Sequence, residues 1–324
     1  MEKKIKRIGI LTSGGDAPGM NAVLRAIVRK TTALGVSVLG IRRGYSGLIT
    51  GDMVELTSRS VDRLLPRGGT MLYTARCQEM YTEEGQEKAA NVCRYMGIDG
   101  LVVIGGDGSF RGALALAEKG IPGIGVPATI DNDIACTEYS IGFDTACNTA
   151  VEAIDKLRDT MQSHERCSVV EVMGRKAGHL ALHVGVAVGA TSILLPERTV
   201  DYDAAVFEPI RMGRLSGRHH HLIIVAEGYG SAQNVATKVE ETTGMDARVT
   251  ILGHIQRGGT PSAQDRVMAT QMGCHAAGLL IAGKHSRLVI CEGGTVTDCD
   301  MAEGLSREKD LSQALFEASQ AVTS

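Results

Sequence analysis

Short runs of aliphatic and β-branched residues recur along the chain between glycine-rich and polar stretches. They are Ile8–Leu11, Leu101–Ile104, Gly123–Val126, Ser168–Val172, Ile193–Leu195, Leu222–Ala226 and Val249–Leu252. Continuous apolar runs bounded by turn formers predict strands buried on both faces. Most are followed by glycine-rich turns and then by apolar residues at helical spacing, over Ala22–Leu34, Arg111–Lys119, Thr145–Met161, Arg175–Val188 and Ala263–Ala282. A further amphipathic helix is predicted around Leu311–Val322. Strand and helix in alternation imply an α/β chain, with parallel sheets covered by helices on both faces. In such folds ligands bind beyond the carboxyl ends of the strands, so chemistry is sought in the loops that leave them.

Composition narrows the function classes. A length of 324 residues corresponds to about two domains. The formal net charge is −3 and no dense Lys/Arg stripe occurs, which removes the electrostatic footprint of a nucleic-acid binder. The longest apolar stretch, Leu180–Leu195, is interrupted by His183, Gly185 and Gly189 and is too broken for a lipid-facing span. Residues Met1 to Arg7 are charged and run straight into the first apolar run, which leaves no signal-peptide core and sets the expectation of a cytoplasmic protein. Eight cysteines without a Cys-x-x-Cys pair fit reduced, structural thiols.

Three loops carry candidate chemistry. After Ile8–Leu11 comes Thr12-Ser13-Gly14-Gly15-Asp16-Ala17-Pro18-Gly19-Met20-Asn21, leading into a helix. Paired glycines let backbone N–H groups approach an anion, and the helix dipole adds to the attraction. A plain strand-to-helix turn accounts for this loop equally well. After Leu101–Ile104 comes Gly105-Gly106-Asp107-Gly108-Ser109, a glycine loop with one hard carboxylate, suited to a nucleotide carrying Mg²⁺. The third loop, Pro127-Ala128-Thr129-Ile130-Asp131-Asn132-Asp133, places two carboxylates two residues apart. In an extended loop both point the same way, one toward an acceptor hydroxyl and one toward a metal; a turn closed by Asx hydrogen bonds is the other reading. Arg166, Arg175, Arg248 and Arg257 stand at strand or helix ends, where guanidinium groups suit bidentate phosphate binding.

Taken together, the segments LTSGGDAPGMNA, RGGTMLYTAR, VVIGGDGS, TIDNDI, IGFDTA, VVEVMGR, VAEG and LGHIQRGG, in that order, resemble the bacterial ATP-dependent 6-phosphofructokinases. The resemblance implies two Rossmann-like lobes with mainly parallel sheets flanked by helices. Residues 1–142 plus about 257–309 would bind ATP, and 143–256 plus about 310–324 would bind fructose 6-phosphate. It also implies Mg²⁺, a homotetramer with shared active sites, and phosphorylation of the sugar's 1-hydroxyl in glycolysis. By matching motif, Gly15, Tyr45, Arg76, Cys77, Gly106, Asp107, Gly108 and Ser109 would hold ATP, Asp107 binding the metal and Tyr45 lying beside the adenine region. Asp131 would be the general base, with Thr129, Arg175 and Arg76 around the transferring phosphoryl group. Arg166, Met173, Gly174, Arg175, Glu227, Arg248, His254 and Arg257 would complete the sugar-phosphate pocket, Arg166 and Arg248 coming from a neighbouring subunit. Arg25, Arg29, Arg158, Gly189 and Arg218 match an effector site.

Some positions depart from the family pattern. Gly108 is the residue of ATP users, whereas Ala128 replaces the usual Gly; pyrophosphate users carry Asp and Lys at these two places. Thr191 stands where a regulatory Glu is usual, Ser58 precedes Arg59 where an Arg can occur, and the stretch Arg218-His219-His220-His221 is altered, so effector response is expected to differ. The three histidines are expected in a solvated or anion-facing turn, and His179 and His183, at helical spacing, between packed helices. The alternative readings are a pyrophosphate-dependent phosphofructokinase and a catalytically silent nucleotide-sensing homologue.

Overall fold

All seven apolar runs form strands in a computed structural model that describes residues 5–323. The first four residues of the charged start, Met1–Lys4, lie outside the described residues, as does Ser324. In chain order the elements are β1 (Arg7–Thr12), α1 (Met20–Ala33), β2 (Ser37–Ile41), α2 (Gly44–Thr50), β3 (Met53–Leu56), α3 (Glu83–Tyr95), β4 (Gly100–Gly105), α4 (Asp107–Glu118), β5 (Gly123–Pro127), α5 (Phe143–Ser163), β6 (Cys167–Val172), α6 (His179–Ala187), β7 (Ser192–Leu194), α7 (Glu208–Leu215), β8 (His221–Ala226), α8 (Ala232–Thr243), β9 (Ala247–Ile251), α9 (Ala263–Ile281), β10 (Arg287–Glu292), β11 (Thr295–Asp300), α10 (Met301–Ser306) and α11 (Gln313–Thr323).

The chain forms two compact units. The first holds the residues up to Thr129, Ile134–Asp144 and Arg257–Lys309; the second holds Ile130–Asp133, Thr145–Gln256 and the residues from Asp310 onward. The short segment Ile130–Asp133 therefore groups with the second unit, whereas the family-based boundary had it in the first.

The first unit is built on a seven-stranded sheet of order β11-β10-β5-β4-β1-β2-β3. Its middle is parallel, and the outer strands β3 and β11 run antiparallel to their neighbours. The chain leaves β1 toward β2 on one side and returns to β4 on the other, so the strand order reverses between β1 and β4. The carboxyl ends of strands at such a reversal are the usual place for a ligand in an open α/β sheet. Strands β4 and β5 are buried at every position, as their continuous apolar runs require. Leu11, Val103, Phe110, Leu116 and Leu288 lie in the core on one face of this sheet.

The second unit has a parallel four-stranded sheet of order β7-β8-β6-β9. Its core packs Val169, Ile223 and Val225 against Val235 and Val239 of α8 and Ile210 of α7. Helix α6 begins at His179, four residues later than the apolar spacing predicts. Gly174 at φ 141° and Arg175 at φ 59° keep the chain out of the helical region at the end of β6. Among the described residues no helix is long and apolar enough to cross a membrane.

Candidate active site

In the first unit the loops after β1, β4 and β5 are sewn together by backbone. Ser13 N donates to Ile104 O at 2.9 Å, and Ala128 N donates to Gly105 O at 2.9 Å. Gly105 admits no side chain, since a Cβ there would collide with Ser13 O and lie 2.6 Å from Ser109 Oγ. At Gly106 and Gly108, by contrast, a Cβ would meet nothing within 4 Å. Gly106 is the extended N-cap of α4 and Asp107 its first residue, so a carboxylate and the helix's free N–H groups flank open space. That arrangement fits a phosphate chain and its divalent metal, which takes hard oxygen ligands.

Tyr45 supports this loop from beneath. It is 4% exposed, and its phenol donates to Ser109 O at 2.6 Å. Burial pushes the phenol's pKa far above its ordinary value, so it remains a donor. Its ring also lies where a side chain on Gly112 would go, 2.7 Å from a Cβ built there.

The segment from Arg67 to Arg76 is fastened to the first loop by side chains. Asn21 Nδ2 donates to Arg67 O and Gly68 O, both at 3.0 Å, and Asn21 Oδ1 accepts from Met71 N at 2.8 Å. Thr12 Oγ1 donates to Tyr73 O at 2.8 Å, and Thr74 Oγ1 donates to Gly14 O at 2.7 Å. Thr74 is thereby fixed on the Gly14–Gly15 turn, shortly before the exposed Arg76 and the half-buried Cys77. Arg257 joins the same turn: Nη1 donates to Asp16 O at 3.2 Å, and its guanidinium fills the place of a Gly15 side chain. Arg257, which the resemblance implies for the sugar-phosphate pocket, thus also touches the glycine loop of the first unit.

The carboxylates of the third loop do not point one way, because the chain there is not extended. Ile130 and Asp131 form a turn, and Asn132 takes a left-handed φ of 48°, a conformation Asn tolerates. Asp131 is 6% exposed, whereas Asp133 is only half-buried. Thr129, which precedes the turn, is half-buried.

In the second unit the carboxyl ends of β6, β8 and β9 converge. Glu227, just beyond β8, uses Oε1 to accept from Gly174 N at 3.2 Å and from Arg175 N. Gln256, fully buried, accepts from Met173 N at 3.3 Å and donates to Gly253 O at 3.0 Å. The turn Met173-Gly174-Arg175 is thereby held from two sides, and Arg175 presents an exposed side chain. His254 is exposed in the short 3₁₀ turn Gly253–Arg257. Arg166 and Arg248 do not join this cluster. They flank the amino ends of β6 and β9, where both pair with Asp246, at 2.6 and 3.1 Å.

A family model described as phosphofructokinase matches residues 7–280. The chain belongs to the phosphofructokinase family. Curated ATP-dependent 6-phosphofructokinases of Clostridium botulinum are 53% identical over 97% of this chain and 98% of theirs. That of Clostridium tetani is 52% identical over 98% of this chain and its own full length. Among solved structures, phosphofructokinase from Saccharomyces cerevisiae aligns with a TM-score of 0.88 at 34% identity; it covers 98% of this chain, which spans 46% of the yeast one. Pyrophosphate-dependent phosphofructokinase from Marinobacter aquaeolei aligns with a TM-score of 0.85 at 21% identity, over 99% of this chain and 92% of its own, which speaks for the fold alone.

Several phosphofructokinase positions behave otherwise than their residue types imply. His221 is not in a solvated turn: it opens β8 at 1% exposure, with Nδ1 3.4 Å from Thr191 Oγ1. Burial, then the charge of Arg218, depress its pKa to about 4. His179 and His183 share α6, with His183 Nδ1 2.9 Å from His179 O, but only His179 is buried; His183 is exposed rather than packed between helices. Of the effector candidates, Arg29 pairs with Asp62 at 2.6 Å, Arg158 bonds Val188 O, and Gly189 and Arg218 are exposed; Arg25 Nε is buried without a partner. Thr12, Asn21 and Thr74 carry no charge that marks them in sequence; only their position inside the glycine motifs could have done so.

Proposed function

We propose that this chain transfers the terminal phosphoryl group of ATP to the 1-hydroxyl of D-fructose 6-phosphate, giving fructose 1,6-bisphosphate and ADP, the committed step of glycolysis. The observation that carries this is the joining of the glycine loops after β1, β4 and β5 at the strand-order reversal, with Asp107 at the mouth of α4 and open space over Gly106 and Gly108. The curated relatives in the same family, matched over nearly their full length, carry the same activity in their names.

Phosphoryl transfer needs positioning and charge stabilisation more than covalent chemistry. Asp107 would hold Mg²⁺, which supplies charge neutralisation across the donor's phosphates. Gly15, Gly106, Gly108 and Ser109 would cradle those phosphates through backbone N–H groups, with Arg76 and Cys77 beside them. Asp131, buried in its turn, would take the proton of the attacking hydroxyl, and Thr129 and Arg175 would orient the transferring group. Met173, Gly174, Glu227 and His254 would hold the sugar phosphate. Tyr45 would act through Ser109 O, and Arg257 through the Gly15–Asp16 backbone. The ion-paired Arg166 and Arg248 would serve a neighbouring subunit's site in a homotetramer. The enzyme would be cytoplasmic, and Arg25, Arg29, Arg158, Gly189 and Arg218 would serve an effector.

ATP is favoured over pyrophosphate as donor because the space over Gly108 is open and unfilled by charge. A coupled assay for fructose 1,6-bisphosphate with Mg²⁺ and fructose 6-phosphate, comparing the two donors, tests the assignment. Turnover is expected with ATP and not with pyrophosphate; turnover with pyrophosphate alone, or with neither, overturns it.

A further inference from the structure

Two cysteines that the proposed reaction does not use lie together in the first unit. Cys136 belongs to the segment between β5 and α5 and is 8% exposed; Cys299 lies in β11 and is half-buried. Both sulfurs crowd the same face of Gly304 in α10: a Cβ built on Gly304 would be 2.9 Å from Cys136 Sγ and 3.1 Å from Cys299 Sγ. The backbone around Cys136 is fixed rather than free to drift. Thr137 Oγ1 accepts from Cys291 N at 2.9 Å, Glu138 N donates to Cys291 O at 3.0 Å, and Lys309 Nζ donates to Thr137 O at 2.7 Å. On the other side, Cys299 is held in register opposite Leu288 by the β10–β11 ladder.

The two thiols are chemically unequal. A hydrogen bond from Cys136, and then the guanidinium groups of Arg307 and Arg287, hold the Cys299 thiol below its ordinary pKa. The same hydrogen bond and burial push Cys136 up. The Cys299 sulfur thus ionises more readily than its neighbour, the usual division between an attacking and a resolving cysteine.

We propose that Cys136 and Cys299 form a redox-active dithiol, a modification site that closes to a disulfide by exchange with a low-molecular-weight disulfide. The Cys299 thiolate attacks one sulfur of the small disulfide, whose S–S bond breaks and releases one thiolate. Cys136 then gives up its proton to that thiolate, and its sulfur attacks Cys299 Sγ, expelling the second small thiolate. Two protein thiols are oxidised by two electrons, and one small disulfide is reduced to two thiols. The bond ties β11 to the segment that follows the Asp131 turn in the chain.

The test uses the folded, reduced protein and oxidised glutathione, followed by alkylation with iodoacetamide, trypsin and mass spectrometry. The expected product is one linked pair, the peptides covering residues 120–156 and 288–307, with fragmentation placing the bond at Cys136 and Cys299 and with dithiothreitol reversing it. In Cys136→Ser, Cys299 is expected to stop as a glutathione adduct; in Cys299→Ser, Cys136 is expected to remain alkylatable as in untreated protein. Unchanged alkylation of both thiols in the native sequence overturns the proposal. So does a glutathione adduct at Cys299 without the link, or a bond that falls on Cys147 or Cys291 instead.

Discussion

A histidine ring shut in with one nitrogen unbonded resists taking a proton. His221 Nε2 is buried without a hydrogen-bond partner, and burial followed by the charges of Arg218, His220 and Arg214 opposes protonation. Above pH 6.5 the ring is neutral in the folded and unfolded chains alike. As the pH falls toward about 4 the unfolded chain gains a proton that the folded one refuses, so stability declines through this window. Below it both forms are protonated and the loss is complete, up to roughly 3 kcal/mol. Urea denaturation of His221→Gln between pH 7 and pH 4 is expected to show a shallower decline than the parent; an equal slope in both would sink the assignment. Asp131 is the matching case for chemistry. Asp131→Asn keeps the size of the side chain and the tolerance of the turn, but loses the proton acceptor. Turnover is expected to drop by roughly 10² to 10⁴ with the unfolding midpoint little changed. Near-normal turnover would remove Asp131 from the role of base. What sequence left hidden at this scale follows from local geometry: the left-handed Asn132 turns the chain inside a motif that reads as extended, and the reach of Arg257 back to Asp16 spans 241 residues of sequence.

Secondary-structure elements were legible where apolar residues run on between glycine-rich turns and helices. Seven strands were readable in that way, whereas β2, β3 and β11 were not, because they mix polar or glycine residues into short edge or near-edge strands; β10 does carry a buried apolar run, Leu288–Cys291, but the hairpin to β11 follows it in place of a helix. A local signal existed for the last hairpin. Gly293 and Gly294, at φ 56° and 74°, form the two-residue turn that its strands require, and a Gly-Gly pair between two short runs is a recognised mark of it. Helices α1 and α9 show how sequence encodes closeness without charge or size. A Cβ on Gly273 of α9 would stand 2.9 Å from both Ala26 Cβ and Val23 O of α1, so the helices meet through the missing side chain. Lys30 of α1 then reaches Cys274 O at 2.7 Å, a bond that depends on this approach. Gly273→Val adds bulk that neither helix can admit and is expected to cost about 1–3 kcal/mol. Chemical denaturation reads the loss directly; an unchanged midpoint would mean that the helices separate freely.

At the scale of the whole molecule, the parallel sheet of the second unit sets a constraint on where the proposed sugar-phosphate site can be completed. Arg166 precedes β6, and Met173 and Gly174 follow it. The six residues of the strand separate the two ends by about 20 Å, further than an arginine side chain extends. Arg248 stands opposite Ser168 near the start of β9, at the same amino end. Neither guanidinium can therefore reach the turn gripped by Glu227 in its own chain, so under the proposed function each would serve that turn only in a second copy. Their pairing with Asp246 holds them in place at an exposed edge, where such a copy can dock. The consequence is a complementation that no single-chain site permits. Asp131→Ala chains lack the base but still offer Arg248 to a neighbour; Arg248→Ala chains keep the base and lack the guanidinium. Each variant alone is expected to be nearly inactive. Refolding an equal mixture creates hybrid pairs in which one site draws Asp131 from one chain and Arg248 from the other. With random pairing and isologous exchange, activity should recover to roughly a quarter of the parent's. A mixture no more active than its components would place both groups in one chain's site and refute the shared arrangement.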